Sequence, residues 1–167
     1  MIENAKTAFI RQGLLIQQGL LAGAAGGLAE VAWVSLYAGV TGGDPAALAR
    51  GVTTAAGVSA LLPAAPAALG VAVHMTLAVL LGVVLSLAWS RLRARGLNNP
   101  YPVMLAALAG VWATNFFVVL PVVSPAFVHA VPYAVSLTSK LLFGMAAAAT
   151  FHWQAAPVET LARVRSK

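Results

Sequence analysis

The sequence predicts an all-α, polytopic membrane protein with four transmembrane helices and one extra interfacial or re-entrant helix on the outer side. Three observations predict it. Of 167 residues, 60% are hydrophobic and only 8% charged, against about 25% charged in a soluble domain. The mean hydropathy is +0.88, so lipid is the expected solvent for most of the chain. The apolar residues gather into four runs, each near the roughly 20 residues that cross a bilayer. Finally, the basic residues sit at the ends of those runs. Lys6 and Arg11 precede the first, Arg91, Arg93 and Arg95 separate the second from the third, and Arg163, Arg165 and Lys167 follow the fourth. By the positive-inside rule both termini are expected in the cytoplasm.

Taken in order, residues 1–11 read as a short amphipathic lead. Basic residues followed by Leu14 to Ala25 resemble a signal peptide, but Gln17 and Gln18 interrupt the apolar run. A retained first span over about 13–40 is expected instead. Gly42, Gly43, Asp44 and Pro45 stop it and start the next helix, with Asp44 as cap and Pro45 in the first turn. That helix, about 45–62, carries Arg50, Thr53, Thr54 and Ser59. A fifth crossing there would put Arg91, Arg93 and Arg95 outside, so it is read as an outer helix. Pro63 and Pro66 bracket a turn before the second span, about 67–90, which ends at Trp89 and the arginines. The third span covers about 101–122 and is broken by Pro121, Ser124 and Pro125. The fourth covers about 132–154, and the tail from Pro157 is short, polar and basic.

Span one carries the most informative pattern. Gly19, Gly23 and Gly27 recur every four residues, and Glu30, Val34 and Tyr37 continue the same helical face. Such a glycine groove lets membrane helices approach closely. Span four has a related face, with Tyr133, Ser136, Lys140, Gly144 and Ala147.

Depth counting brings the polar residues into one layer. Glu30 lies ~28 Å beyond Arg11, His74 ~25 Å from Arg91, Asn115 ~21 Å from Tyr101 and Lys140 ~20 Å from Trp153. All four fall in the outer half of the membrane. Glu30 and Lys140 at similar depth are expected to pair, either as a structural lock on helix register or as an ion or proton relay. His74, Asn115, Tyr37, Tyr133 and Ser136 complete the layer. His74, His129 and Glu30 are metal-ligating types, but their spacing matches no known site, and no metal is assigned. His152 belongs to the opposite face.

Other chemistry is excluded or unsupported. With no cysteine, disulfides, zinc–thiolate sites, iron–sulfur clusters and thiol-linked haem are excluded. The net charge of +6 resides in the span flanks, so no nucleic-acid face exists. There is no phosphate-binding Gly-rich loop, no HExxH and no GxSxG. No cofactor is expected.

The stretch Gly19-Leu20-Leu21-Ala22-Gly23, with Glu30 seven residues on, resembles the opening span of YagU-like small bacterial inner-membrane proteins. His74 and the proline-broken region from Pro121 to Pro132 fit the same pattern. The resemblance implies a bacterial inner membrane and a link with acid tolerance, and it implies no biochemical activity. Here the Asp44 to Leu62 helix stands where that family carries a longer polar insertion.

Two functions follow from the sequence. The first is a non-enzymatic membrane subunit that packs by its glycine and alanine faces into a larger membrane complex, a respiratory one among the candidates, or a homo-oligomer. The second is a small proton- or cation-coupled transporter or channel using the outer polar layer. A lipid- or quinone-directed enzyme holding a head group by Tyr37, Tyr133 and His74 is a third. A dry Glu30–Lys140 contact with a glycine face covered by another chain favours the first, and a water-filled cavity at the polar layer favours the second.

Overall fold

Four helices in the computed structural model are long and apolar enough to cross a membrane: Phe9–Thr41, Pro66–Ala94, Pro100–Val123 and Tyr133–Gln154. The structure describes the backbone of residues 2–165 and the side chains of residues 9–154. Lys6, Arg163, Arg165 and Lys167, and the tail from Pro157, lie outside the described side chains. The fold is 84% helical, with no strand among the described residues.

Helix α1 runs Ile2–Thr41 without a break. The expected lead and the first span are therefore one helix. Gly13 stands in open space, and a single glycine weakens a helix by about 1 kcal/mol without ending it. Helix α2 is Pro45–Ala55, shorter than the expected 45–62. Gly57 at φ +70° ends it, a backbone conformation that suits glycine, and turns follow to Ala65. The start of α2 is well specified. The Ala46 N–H donates to Asp44 Oδ1 at 2.8 Å, and Arg50 donates to Asp44 Oδ2 at 2.6 Å. Asn99 repeats the device for α4, accepting from the Tyr101 N–H at 3.1 Å.

Helix α3 is Pro66–Ala94 and α4 is Pro100–Thr114. A single wide π turn, Asn115–Val119, joins α4 to α5, Leu120–Val123. Pro121 therefore does not break the third span as expected. Its ring would press on the carbonyl four residues back in a regular helix. The wide turn relieves that crowding, with the Leu120 N–H bonded to the Asn115 carbonyl. The break comes at Ser124, before the one-turn α6, Pro125–Val128, and the last helix α7, Tyr133–Arg165.

The spans form an antiparallel row in the order α4, α7, α1, α3, with α2 laid against α3. The α1–α3 seam is close over several turns. A methyl group on Gly82 would collide with the Gly19 carbonyl and the Gly23 backbone. One on Gly19 would collide with Gly82 and Val83, and one on Gly27 with Ala78 and Met75. The Ser86 hydroxyl extends the seam by donating to the Leu15 carbonyl at 2.8 Å. Gly26 points the other way and receives the Phe143 ring of α7. Gly144 faces the Met104 carbonyl of α4, where a methyl group would lie 3.2 Å away. Gly70 lets the Ala49 carbonyl of α2 rest on α3, and the fully buried Thr53 donates to the Pro66 carbonyl at 2.6 Å.

Side-chain packing is concentrated toward the end that bears Arg91, Arg93 and Arg95, here the basic end. Leu85, Trp89, Met104, Leu108, Phe143, Ala147, Ala148 and Phe151 are buried together there. Toward the α2 end, α3 and the third span are not adjacent backbones.

Two outcomes follow. Gly82→Val should lower bundle stability by about 1–3 kcal/mol, read as a drop in the detergent unfolding midpoint, whereas Gly110→Ala, in open space, should leave it nearly unchanged. The second concerns Asp44, whose carboxyl is held below the usual carboxylate range by the Arg50 guanidinium and the Ala46 N–H. A depressed carboxylate stabilises above its unfolded pKa and loses that contribution as pH falls through the folded value. Amide exchange across 46–55, corrected for intrinsic rates, should thus become faster below the ordinary aspartate range, and Asp44→Ala should show the same loosening at neutral pH.

Candidate functional site

Glu30 is carried on α1 one turn beyond the glycine seam. Because Gly19 and Gly23 hold α1 against α3 and Gly26 admits Phe143 from α7, the carboxylate emerges where three helices meet. It is 3% exposed. A carboxylate at that depth requires partners, and α7 supplies two. The Lys140 ammonium lies 2.7 Å from Oε1 and 3.0 Å from Oε2. The Ser139 hydroxyl donates to Oε1 at 3.1 Å. The Lys140 ammonium also lies 5.8 Å from the Phe143 ring centroid, a range at which the ring face attracts a cation.

His74 of α3 approaches from the other side. Its Nε2 lies 3.6 Å from Glu30 Oε2, beyond hydrogen-bond reach. The atom is buried and has no hydrogen-bond partner. The imidazole also faces the Gly27 carbonyl. The carboxylate is thus saturated by α7, while the histidine keeps an uncommitted nitrogen.

These groups form part of the wall of a cavity of about 520 Å³, within the range of about 300–1,000 Å³ usual for small-molecule sites. Glu30, His74, Asn115, Ser136, Ser139 and Lys140 supply its main polar lining, and the rest is chiefly aliphatic and aromatic. Leu48, Ala49 and Val52 of α2 lie across its outer end, together with Phe127, whose ring rests on Gly51. The buried cluster at the basic end closes the opposite side. The π turn belongs to this site: it is where Asn115 reaches the cavity, and π turns recur at functional positions in helices.

The remaining polar residues are dispersed. Ser136 accepts from Trp112 Nε1 at 3.0 Å and donates to the Tyr133 carbonyl at 3.0 Å. Tyr133 packs its ring with Trp112, Phe116 and Phe117, and it lies outside the cavity wall. Tyr37 is half-buried on α1 and also contributes nothing to the wall. His129 is exposed after α6, and His152 is exposed near Tyr101 at the basic end. Among the described residues no three His, Asp or Glu side chains gather as a metal site would require.

Sequence reasoning missed Ser139, Gly26, Gly82 and Trp33. Trp33 Nε1 donates to the Val135 carbonyl at 3.0 Å and ties α1 to the start of α7. Ser139 was findable by asking what else near Lys140 could donate to a buried carboxylate. Gly82 gave no such signal, because a lone glycine in an apolar run has no periodicity.

The cluster gathers side chains of the types that hold and exchange protons. Glu30 has an ammonium donor, a hydroxyl donor and an imidazole at its edge. Comparison with protein-family models, curated proteins and solved structures returns no match. Removing one charge should be far costlier than removing both. Glu30→Gln should destabilise the bundle by on the order of 3 kcal/mol, and the Glu30→Gln/Lys140→Met pair should recover most of the loss in a double-mutant cycle of detergent unfolding.

Proposed function

We propose that this integral membrane protein is a small, non-enzymatic, proton-coupled transporter whose exchange site is the Glu30–Lys140–His74 cluster. One observation carries the reading: the buried carboxylate and its partners line a cavity. A structural ion pair has no need of open volume beside it. A transport site needs both a titratable group and room for what it moves.

The subunit reading draws less support. It asked for a glycine face covered by another chain, and the Gly19–Gly23 face is already occupied by α3 of the same chain. In the proposed cycle, protonation of Glu30 removes the charge that holds Lys140 and Ser139, loosening α7 from α1. His74, 3.6 Å from the carboxylate, is the neighbour through which the proton is exchanged with the cavity. The closed packing at the basic end then forms the barrier that must open in alternation. We further place the basic end in the cytoplasm of a bacterium, on the positive-inside rule, and keep the YagU-like kinship as part of the proposal.

Proteoliposomes with a trapped pH dye and an imposed potassium diffusion potential test it. Proton influx should exceed that of protein-free vesicles several-fold, and Glu30→Gln should abolish the excess. Influx equal to that of empty vesicles, or unchanged in both Glu30→Gln and Lys140→Met, sinks the proposal.

A further inference from the structure

The cavity has a side as well as an outer end. Several of its lining residues are simultaneously exposed on the lipid-facing surface: Val71 and Leu77 of α3 on one edge, Val119 and Val123 of the third span on the other. The two helices that carry them flank the gap left because α3 packs on α1 and the third span on α7. The cavity therefore opens sideways, at membrane depth, between hydrocarbon-bearing edges.

Its chemistry narrows what fits. Glu30 and Lys140 neutralise each other at 2.7 Å, so the wall presents no net charge. A charged head group would have to give up its hydration for no counter-ion, which is costly in a low-dielectric site. Two uncommitted polar groups remain. His74 Nε2 has no hydrogen-bond partner, and the Asn115 amide, on the cavity wall, hydrogen-bonds no other described side chain. Together they offer a donor and acceptors to a neutral head group. The surrounding Val34, Val52, Leu81 and Val111 suit a hydrocarbon chain.

We propose that the cavity binds a neutral single-chain amphiphile with a hydroxyl-bearing head, which comes in from the bilayer between α3 and the third span and places its head on His74 and Asn115. The proposal rests on the transport reading only in taking this cavity as the binding site. Binding needs no proton movement.

A photoactivatable diazirine analogue of dodecanol, incubated with the full chain in proteoliposomes and mapped by mass spectrometry, tests it. Labelling should saturate and concentrate in residues 71–81 and 111–123, and excess dodecanol should compete. Dodecane, laurate and dodecyltrimethylammonium should compete at least about tenfold more weakly. The His74→Leu/Asn115→Leu variant should weaken binding about tenfold, the scale expected for two hydrogen bonds. It removes an unpaired buried nitrogen, so the fold should tolerate it. Leu77→Trp, at the lipid-exposed edge, should slow labelling without unfolding the bundle.

Non-saturable labelling spread over all lipid-facing surfaces overturns the proposal. So does equal competition by dodecane, which makes the head irrelevant, or stronger competition by laurate or the ammonium. Saturable labelling without Glu30-dependent proton influx removes the transport reading and leaves the binding site standing. Proton influx without saturable labelling does the reverse.

Discussion

The backbone contact of α1 with α3 at Gly19, Gly23 and Gly82 constrains much else in the bundle. In lipid no hydrophobic effect drives helices together, so close van der Waals approach must hold them. Three glycines supply it on one side of α1, and Gly26 supplies a second approach toward α7. With α3 committed to α1, and the third span committed to α7 through Gly144 and the Trp112–Ser136 bond, nothing draws α3 and the third span together beyond the packed basic end. The cavity is the geometric remainder of those two commitments.

The same constraint fixes the electrostatics. α1 is pressed from both sides, so Glu30 has little freedom to reach water and must be satisfied where it stands. Lys140 and Ser139 do so from adjacent positions on α7. A buried pair of this kind is weak support for stability and stronger support for register. The Trp33 and Ser86 bonds to carbonyls of neighbouring helices pin the same register at two other levels. Among the described residues, His74 Nε2 and the Asn115 amide are left without a side-chain partner, on the side that faces the open volume.

The spans were legible because hydropathy and flanking arginines act over whole helices. So were the starts of α2 and α4, where Asp44-Pro45 and Asn99-Pro100 combine a side-chain acceptor with a proline that needs no partner. Opposite charges at matching depths suffice to pair Glu30 with Lys140 on paper. Periodicity isolates the Gly19–Gly23–Gly27 face, yet it cannot say which helix covers it, since that depends on a solitary glycine in α3. The cavity is illegible for a deeper reason. It depends on how far two helices diverge beyond their packed end, and no local pattern encodes that distance. The π turn was hidden likewise, because proline signals a break more often than a widened turn.

The unequal lengths of the spans carry one more consequence. At ~1.5 Å per residue, the 33 residues of Phe9–Thr41 stretch ~50 Å, against a hydrocarbon layer of roughly 30 Å. α3 is also long, whereas Tyr133–Gln154 nearly matches the layer. Counted from Thr41, the layer ends near Leu20, which puts Gln17 and Gln18 at the lipid boundary and Phe9, Ile10 and Leu14 beyond it. Those three are exposed. The surplus turns of α1 thus carry an exposed apolar strip past the hydrocarbon, to the level of the head groups.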